Sequence, residues 1–471
     1  MDTVQPIDPE HAGLAERLAG QGVEYVLGGW IDAMGRTKSK MVPISHLPDL
    51  LAGSERYTPR GMGDLGQMTP DEDECVGMPD LSTLTICPWD RRVAWTAADL
   101  LWGGKEPFAL CTRSVLKRQV ALAAAEGYVC NLGVETELYV FRPESLERAD
   151  GYLEPMTHAG KLRPTQAYDA ESVMDALPWL DPMAKYMAET GFGLFSFDAE
   201  GGDAQYEFDF NYAPVLAMAD RISFFRLMAK QVAKQAGLLA TFMPKPYTDA
   251  WGSGHHFNMS LEDAETGANL FRDADDARGQ RSGGLGWSKL AYSFVAGILR
   301  HARALAAVAT PTVNSYKRLA PRLADGSVSW APIYAAYGDN NRSCMLRLPR
   351  NRPAIENRGV DSAANTYLAS ALMLAAGLEG IRLGLDPGEP VEELTYDWAP
   401  AGGAPQKEAA SRVRLPRTLL EAVDAFVDDP LVYEVFPAQL VSAYAEMKQG
   451  EWDEYHRQVS AWERTKYLLA F

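Results

Sequence analysis

The chain has 471 residues, 45 Lys plus Arg against 63 Asp plus Glu, and a formal charge of −18. That length is enough for two or three domains with a large core, so neither a disulfide nor a metal staple is needed for stability. The acidic balance argues against a nucleic-acid groove, where the phosphate backbone would be repelled. An anionic substrate must therefore be met by local arginines or by metal ions. No apolar run reaches the 18 residues of a bilayer span. Residues 1–6 lack the basic-then-apolar pattern of a secretory signal. The five cysteines (Cys75, Cys87, Cys111, Cys130, Cys344) form no CxxC pair, which predicts reduced thiols and a cytoplasmic protein.

In chain order, residues 25–30 and 38–43 read as two strands joined by the Ala33-Met34-Gly35-Arg36 turn. Strands at 83–87 and 93–96 follow a Gly-rich loop at 61–67. Short helical patterns between them predict a small α+β domain over 1–108, with a linker at 102–107. A helix opens at Thr112 or Ser114 and runs to Gly127. Long helices are predicted at 219–236, 285–308 and 361–383. Residues 415–471 read as helical, divided at Pro430, Pro437 and Gly450. The second domain then covers 109–471.

Four strands carry chemistry on one face, because alternate side chains project to the same side of a strand. Glu135 and Glu137 share a face in Val134-Glu135-Thr136-Glu137-Leu138-Tyr139. Glu207, Asp209 and Asn211 oppose the aromatics of Tyr206-Glu207-Phe208-Asp209-Phe210-Asn211-Tyr212. His256, Asn258 and Ser260 oppose Phe257, Met259 and Leu261, and Glu356 aligns with Arg358. Singly, each is an ordinary solvated strand face. Together, separated by helices rather than hairpins, they predict a curved sheet lining a polar channel.

Carboxylates gathered there repel: at about 6 Å and an effective dielectric near 20, each like pair costs roughly 3 kcal/mol. Glu135, Glu137, Glu200, Glu207 and Glu356 could converge only around cations. Oxygen ligands with one imidazole suit Mg²⁺ or Mn²⁺ better than zinc, and paired divalent ions usually mean phosphate chemistry. Lys317, Arg318, Arg342, Arg347, Arg352 and Arg358 form a basic cluster in this acidic chain, suited to clamping carboxylate and phosphate oxygens. There is no GxxxxGK[ST] loop and no strand-linked GxGxxG.

Three blocks then stand out: Met243-Pro244-Lys245-Pro246, Gly252-Ser253-Gly254-His255-His256, and Pro311-Thr312-Val313-Asn314-Ser315-Tyr316-Lys317-Arg318-Leu319. With Asn341-Arg342-Ser343, Arg347-Leu348-Pro349 and Ala363-Ala364-Asn365-Thr366-Tyr367-Leu368, they resemble the glutamine synthetase superfamily over nearly the whole chain. The resemblance implies an α+β fold, with a small N-terminal β-grasp domain and a large catalytic domain built on a curved antiparallel sheet. It also implies a ring-shaped homo-oligomer, a dodecamer in the family, with active sites between subunits. Two or three Mg²⁺ or Mn²⁺ ions per site, and ATP as co-substrate, are expected. Glu137, Glu200 and Glu207 fall on the ligands of one metal, and Glu135, His256 and Glu356 on those of another. Arg318, Arg358 and Gly252 fall on glutamate contacts. Arg342 and Arg347 match phosphate-handling arginines, and Ser260 a nucleotide-pocket position.

Some positions depart from the family pattern. The Asp-Gly-Ser-Ser loop that helps hold ammonium is replaced around Arg60-Gly61-Met62-Gly63-Asp64, and Trp330 stands where the flap carries its ammonium-deprotonating glutamate. A nucleotide-side arginine becomes Ala354, with Arg352 a candidate to cover it; a nucleotide-side histidine is Asn258, and Trp251 replaces an asparagine. The Ser-Trp-Ala-Pro flap and the 454–463 tail are similar to the type III glutamine synthetase-like branch, which includes γ-glutamylmethylamide synthetase and other glutamate–amine ligases. A tryptophan face attracts an alkylammonium by about 0.5–2 kcal/mol and makes room for carbon. The expectation is a γ-glutamylamide made from L-glutamate and an organic primary amine, such as methylamine, another alkylamine or aniline, through γ-glutamyl phosphate. Asp64 or Glu200 would be the base. The alternatives are glutamine synthesis from ammonia and a non-catalytic protein on the same scaffold. No nucleic-acid or membrane partner is expected.

Overall fold

The computed structural model describes residues 9–58, 73–148, 153–156, 167–280, 283–323, 325–398 and 412–471. Two sheets organise them. The first holds β1 (Tyr25–Ile31), β2 (Thr37–Pro43), β3 (Arg56–Tyr57), β4 (Cys75–Pro79), β5 (Thr85–Ile86), β6 (Val93–Trp102) and β7 (Glu106–Pro107), in the order β2-β1-β6-β4-β3, with β5 and β7 also paired to β6. Strands β1 and β6 run parallel, Tyr25 opposite Val93. Val26, Val42 and Ala94 turn one face into a small core with Leu18 of the Pro9–Gly20 helix and Leu47 and Leu50.

The second sheet holds β8 (Tyr128–Phe141), β9 (Leu194–Ala199), β10 (Gln205–Pro214), β11 (Leu239–Thr241), β12 (His255–Asp263), β13 (Tyr337–Asp339), β14 (Leu346–Leu348) and β15 (Ile355–Asn357). Their order is β13-β14-β15-β12-β8-β10-β9, with β11 also on β8. All pairings are antiparallel except β13 with β14. The register shifts in β10 after Phe210 and in its pairing with β9 after Asp209. Such bulges bend and twist a sheet, and here they curve it around the polar face.

The apolar face is covered by helices Thr112–Ala125 and Val215–Gln235, and Thr366–Leu383 packs against both. Thr366–Leu383 is buried on nearly every side, as expected of a helix apolar all round. Asn365 caps its first turn, accepting from the amides of Tyr367 and Leu368, and Gly384 ends it in the left-handed conformation at φ 59°. One continuous core joins Trp30, Trp95 and Leu100 of the first sheet to Leu132, Phe208 and Phe224 of the second region. Arg113 ties the same regions together in a buried ion network. Its guanidinium donates to Asp220 at 2.9 Å, Asp80 at 2.7 Å and Asp99 at 3.0 Å.

Several predicted elements change. The expected linker at 102–107 is a tight hairpin pairing Trp102 with Glu106. The 285–308 helix is two helices, Lys289–Arg300 and Ala302–Ala309, divided at His301. The 361–383 helix starts five residues later, at its Asn365 cap. Gly450 lies inside helix Ala438–His456 rather than breaking it, since an exposed glycine in a helix interior costs only about 1 kcal/mol. Helix Ala170–Thr190, with Pro178 and Pro182 inside it, is not anticipated by the sequence reading. Among the described residues no helix is long and apolar enough to cross a membrane. All five cysteines are free and buried.

Candidate functional site

Sheet register assembles the site. On β8, Glu135 stands between Asp209 of β10 and His256 of β12, while Glu137 stands opposite Glu207. Asn258, two residues from His256, faces Glu356 of β15. Directly opposed side chains in an antiparallel pair have Cβ atoms about 5 Å apart, so the period-two pattern of four strands becomes a contiguous acidic patch. Glu200, at the end of β9, completes it. Ligand atoms of Glu135, His256 and Glu356 lie within 4.8 Å of one another, as do those of Glu137, Glu200 and Glu207. Every residue expected from the sequence to ligate a metal therefore falls in one of two clusters.

Burial and mutual repulsion show in the protonation of the second cluster. The Glu137 carboxyl is pushed up to about 8, by burial first and then by Glu200. Glu207 is raised well above its ordinary value by burial and by Glu137. Burial would also raise Glu356, but Arg358 and Arg347 hold it below the usual range. His256 is held well below its ordinary value, chiefly by burial and then by Arg358. Its imidazole is therefore neutral and able to ligate. The His256 Nδ1 atom is buried without a hydrogen bond, 3.5 Å from Glu135 Oε2 and 3.9 Å from Glu356 Oε1. An unpartnered imidazole nitrogen among carboxylates, with no sulfur donor nearby, fits a hard divalent cation such as Mg²⁺ or Mn²⁺.

The opposite wall is cationic. Arg347 and Arg358 each donate to Glu356 at 2.6 Å. Arg358 also reaches the carbonyls of Arg342 at 3.1 Å and Trp330 at 3.3 Å. Arg318 donates to the Arg358 carbonyl at 3.2 Å, leaving its buried Nη1 without a partner. Arg318, Arg342, Arg347, Arg352, Arg358 and Gly252 line a cavity of about 300 Å³ with the acidic patch. Glycine is required at 252 and 254: a Cβ at 252 would lie 2.7 Å from Arg318 Cγ, and one at 254 would lie 2.6 Å from His256 Nε2. Ser362 Oγ locks the β8–β12 junction from behind, reaching the carbonyls of Glu137 at 2.6 Å and Gly254 at 2.7 Å.

The third side of the cavity is aromatic. The rings of Trp251 and Trp330 lie 6.1 Å apart, and both line the cavity. Tyr139 fixes the Trp251 backbone by donating to its carbonyl at 2.6 Å. Trp330 has φ 61°, a strained value for a side chain of this size.

One expected residue lies elsewhere. Ser260 is buried further along β12, opposite Asn131, and is not part of the cavity lining. Asp64, like Met62, falls outside the described residues. The sequence reading placed Asp209 on a chemistry-bearing strand face but gave it no role, and did not single out Asp198 or Tyr168; all three line the cavity. Burial and then Glu200 push Asp198 up to about 7. The signal was available, since Asp209 follows Glu207 by two residues and Asp198 precedes Glu200 by two.

Comparison with known proteins agrees with this geometry. Residues 109–467 match the family model described as glutamine synthetase, catalytic domain. The chain is 36% identical over 453 residues to a glutamate–methylamine ligase of Methyloversatilis universalis, covering 95% of this chain and 97% of that protein. It is 35% identical over 456 residues to a glutamine synthetase of Rhizobium leguminosarum bv. phaseoli, covering 97% and 99%. A solved structure described as a GmaS/ADP complex superposes with TM-score 0.85 at 34% identity, covering 97% and 99% of the two chains. Acidic clusters facing an arginine wall, in a fold shared over nearly the whole length, mark the chain as a member of the glutamine synthetase family and an ATP-dependent carbon–nitrogen ligase.

Proposed function

We propose that this ligase joins L-glutamate to an organic primary amine, forming a γ-glutamylamide through γ-glutamyl phosphate. The observation that carries the amine assignment is the Trp251–Trp330 wall, which gives the cavity an apolar face beside its acidic one. An aromatic face attracts an alkylammonium and accommodates its carbon, whereas ammonium gains nothing from the added apolar surface. The similarity to a glutamate–methylamine ligase supports this reading. The comparably similar glutamine synthetases keep ammonia as the rival substrate.

In this reading Glu137, Glu200 and Glu207 would hold one Mg²⁺ or Mn²⁺, and Glu135, His256 and Glu356 would hold a second. Such cations would supply positive charge to neutralise phosphate oxygens. Arg318 and Arg358, with the Gly252 backbone, orient the glutamate carboxylate, and the buried free Nη1 of Arg318 is available for that bond. Arg342 steadies charge on the transferring phosphoryl group, where a preorganised donor acts most strongly. Arg347, Arg352 and Asn258 serve the nucleotide side. Glu200 or Asp64 takes the proton that the amine must lose before attack. The flap around Trp330 excludes water, which would otherwise hydrolyse the acyl phosphate. The working form is a cytoplasmic ring-shaped homo-oligomer, with 1–108 and 109–471 as its two domains.

Phosphate release measured with glutamate, ATP, Mg²⁺ and a panel of amines tests the proposal. The expected result is a higher kcat/KM with methylamine, ethylamine, isopropylamine or aniline than with ammonia. Ammonia outperforming every organic amine overturns it.

A further inference from the structure

Arg352 differs from the other arginines of the cationic wall. The side chains of Arg347 and Arg358 are 10% and 5% exposed, and both are committed to Glu356. Arg352 lies in the loop between β14 and β15, with its side chain 32% exposed on the cavity wall. It reaches a different carboxylate: Nη2 lies 2.5 Å from Glu135 Oε1. The fork is completed on Asn258 Oδ1, at 2.9 Å from Nε and 2.8 Å from Nη2. Asn258 Nδ2 donates to the same Glu135 oxygen at 3.1 Å, so that oxygen carries two donors. Glu356 Oε2 is 3.5 Å from the same Nη2.

The guanidinium thus sits against two of the three residues assigned above to the second cation. A carboxylate oxygen that accepts two hydrogen bonds, one of them charge-assisted, must give them up in part to coordinate a divalent ion. Departure of Arg352 requires no backbone motion. Pro353 confines the residue before it to extended geometry, and Asn269 Nδ2 holds the Pro353 carbonyl at 3.1 Å. The long side chain can rotate from this fixed root into the open cavity. A freed guanidinium on that wall needs an anion, and the polyphosphate of the nucleotide is the most highly charged one the reaction brings.

We propose that Arg352 is a displaceable counter-cation: it neutralises Glu135 before loading, is expelled when a divalent ion takes Glu135, and then pairs with nucleotide phosphate. Metal and nucleotide binding are thereby coupled through one side chain, and linkage makes the coupling reciprocal. The idea rests on the assignment of Glu135 as a metal ligand.

Mn²⁺ titrations followed by electron paramagnetic resonance, with and without ADP, test both layers on wild type, E135A, R352Q and R352K. E135A should lose one class of Mn²⁺ site; if its Mn²⁺ binding matches wild type, the ligand assignment itself fails and the proposal with it. For that class, R352Q should bind Mn²⁺ about tenfold more tightly than wild type without ADP, the worth of one charge-assisted hydrogen bond. The gain in Mn²⁺ affinity that ADP brings to wild type should shrink by a similar factor in R352Q. R352K, which keeps the charge and loses the fork, should stay closer to wild type in both measurements. If R352Q binds Mn²⁺ no more tightly than wild type, or its ADP effect is unchanged, the proposal is overturned; R352K behaving like R352Q overturns the counter-cation role as well.

Discussion

Loading of a divalent cation at Glu137, Glu200 and Glu207 should release protons, and the number follows from the geometry. Burial and the nearby Glu200 bring the Glu137 carboxyl to about 8, and Glu207 is raised well above its ordinary value. At pH 7 a carboxyl with its midpoint near 8 is about nine-tenths protonated, and Glu207 is shifted in the same direction by burial and by Glu137. A cation requires both ionised, so binding at pH 7 should expel about one proton from Glu137 and a further contribution from Glu207. Moving the Glu137 midpoint from 4.5 to about 8 corresponds to about 5 kcal/mol of resistance to ionisation, which the cation must offset. Through Glu137 alone, affinity should fall about tenfold from pH 7 to 6, and the raised Glu207 should steepen that fall. The sign for stability follows from the same shift. A folded-state midpoint raised above the unfolded one stabilises below about pH 4.5, and that contribution is lost as pH rises towards 8. Added Mg²⁺ should therefore raise the melting temperature more at pH 8 than at pH 6. Isothermal titration in PIPES and in Tris, whose ionisation enthalpies differ, counts the protons directly. Binding heats that do not depend on the buffer, with an affinity flat from pH 6 to 8, would refute the reasoning.

Three further outcomes follow from other parts of the molecule. Trp330→Ala should lower kcat/KM for an alkylamine more than for ammonia, by about fourfold for each amine carbon that the ring buries; equal losses for both would show that Trp330 does not select the organic amine. His301 joins two helices, its Nδ1 2.7 Å from Asp429 and its Nε2 2.6 Å from Glu379; burial opposes its charge, but the two carboxylates win and raise its midpoint. Its contribution is complete below about pH 6.5 and is lost as pH rises through the folded midpoint, so urea unfolding between pH 6 and 9 should show a stability decline that His301→Gln flattens. Gly297→Ala should cost about 1–3 kcal/mol in the same assay, because a Cβ there meets the Ala376 carbonyl and comes within 2.8 Å of the Gly380 amide where the two helices cross.

The acidic half of the site was legible because strand geometry converts spacing into position. Glu135 and Glu137 at i and i+2 must share a face, and the register then decides only which neighbours they meet. The arginine wall was legible as a cluster, but not in its division of labour. Nothing local shows that Arg347 and Arg358 close on Glu356 while Arg352 crosses to Glu135. Helix Ala170–Thr190 carries two internal prolines, Pro178 and Pro182, which work against a helix, although Ala176, Trp179, Leu180, Met183 and Met187 carry helical spacing and are all buried. The supposed linker at 102–107 contained its own correction: Gly103 and Gly104, both at positive φ, are a turn pair that closes β6 onto β7. Asp198 and Asp209 show the remaining limit, since an acidic residue on a polar face gains chemical meaning only when a neighbouring strand supplies its partners.

The central claim is that two divalent cations are held at the floor of one cavity. Anomalous diffraction from crystals of the full chain grown with Mn²⁺ tests it most directly. The account predicts two peaks, one within coordination distance of Glu137, Glu200 and Glu207 and the other of Glu135, His256 and Glu356. Peaks confined to other carboxylates, or none at all with Mn²⁺ present in excess, would contradict it.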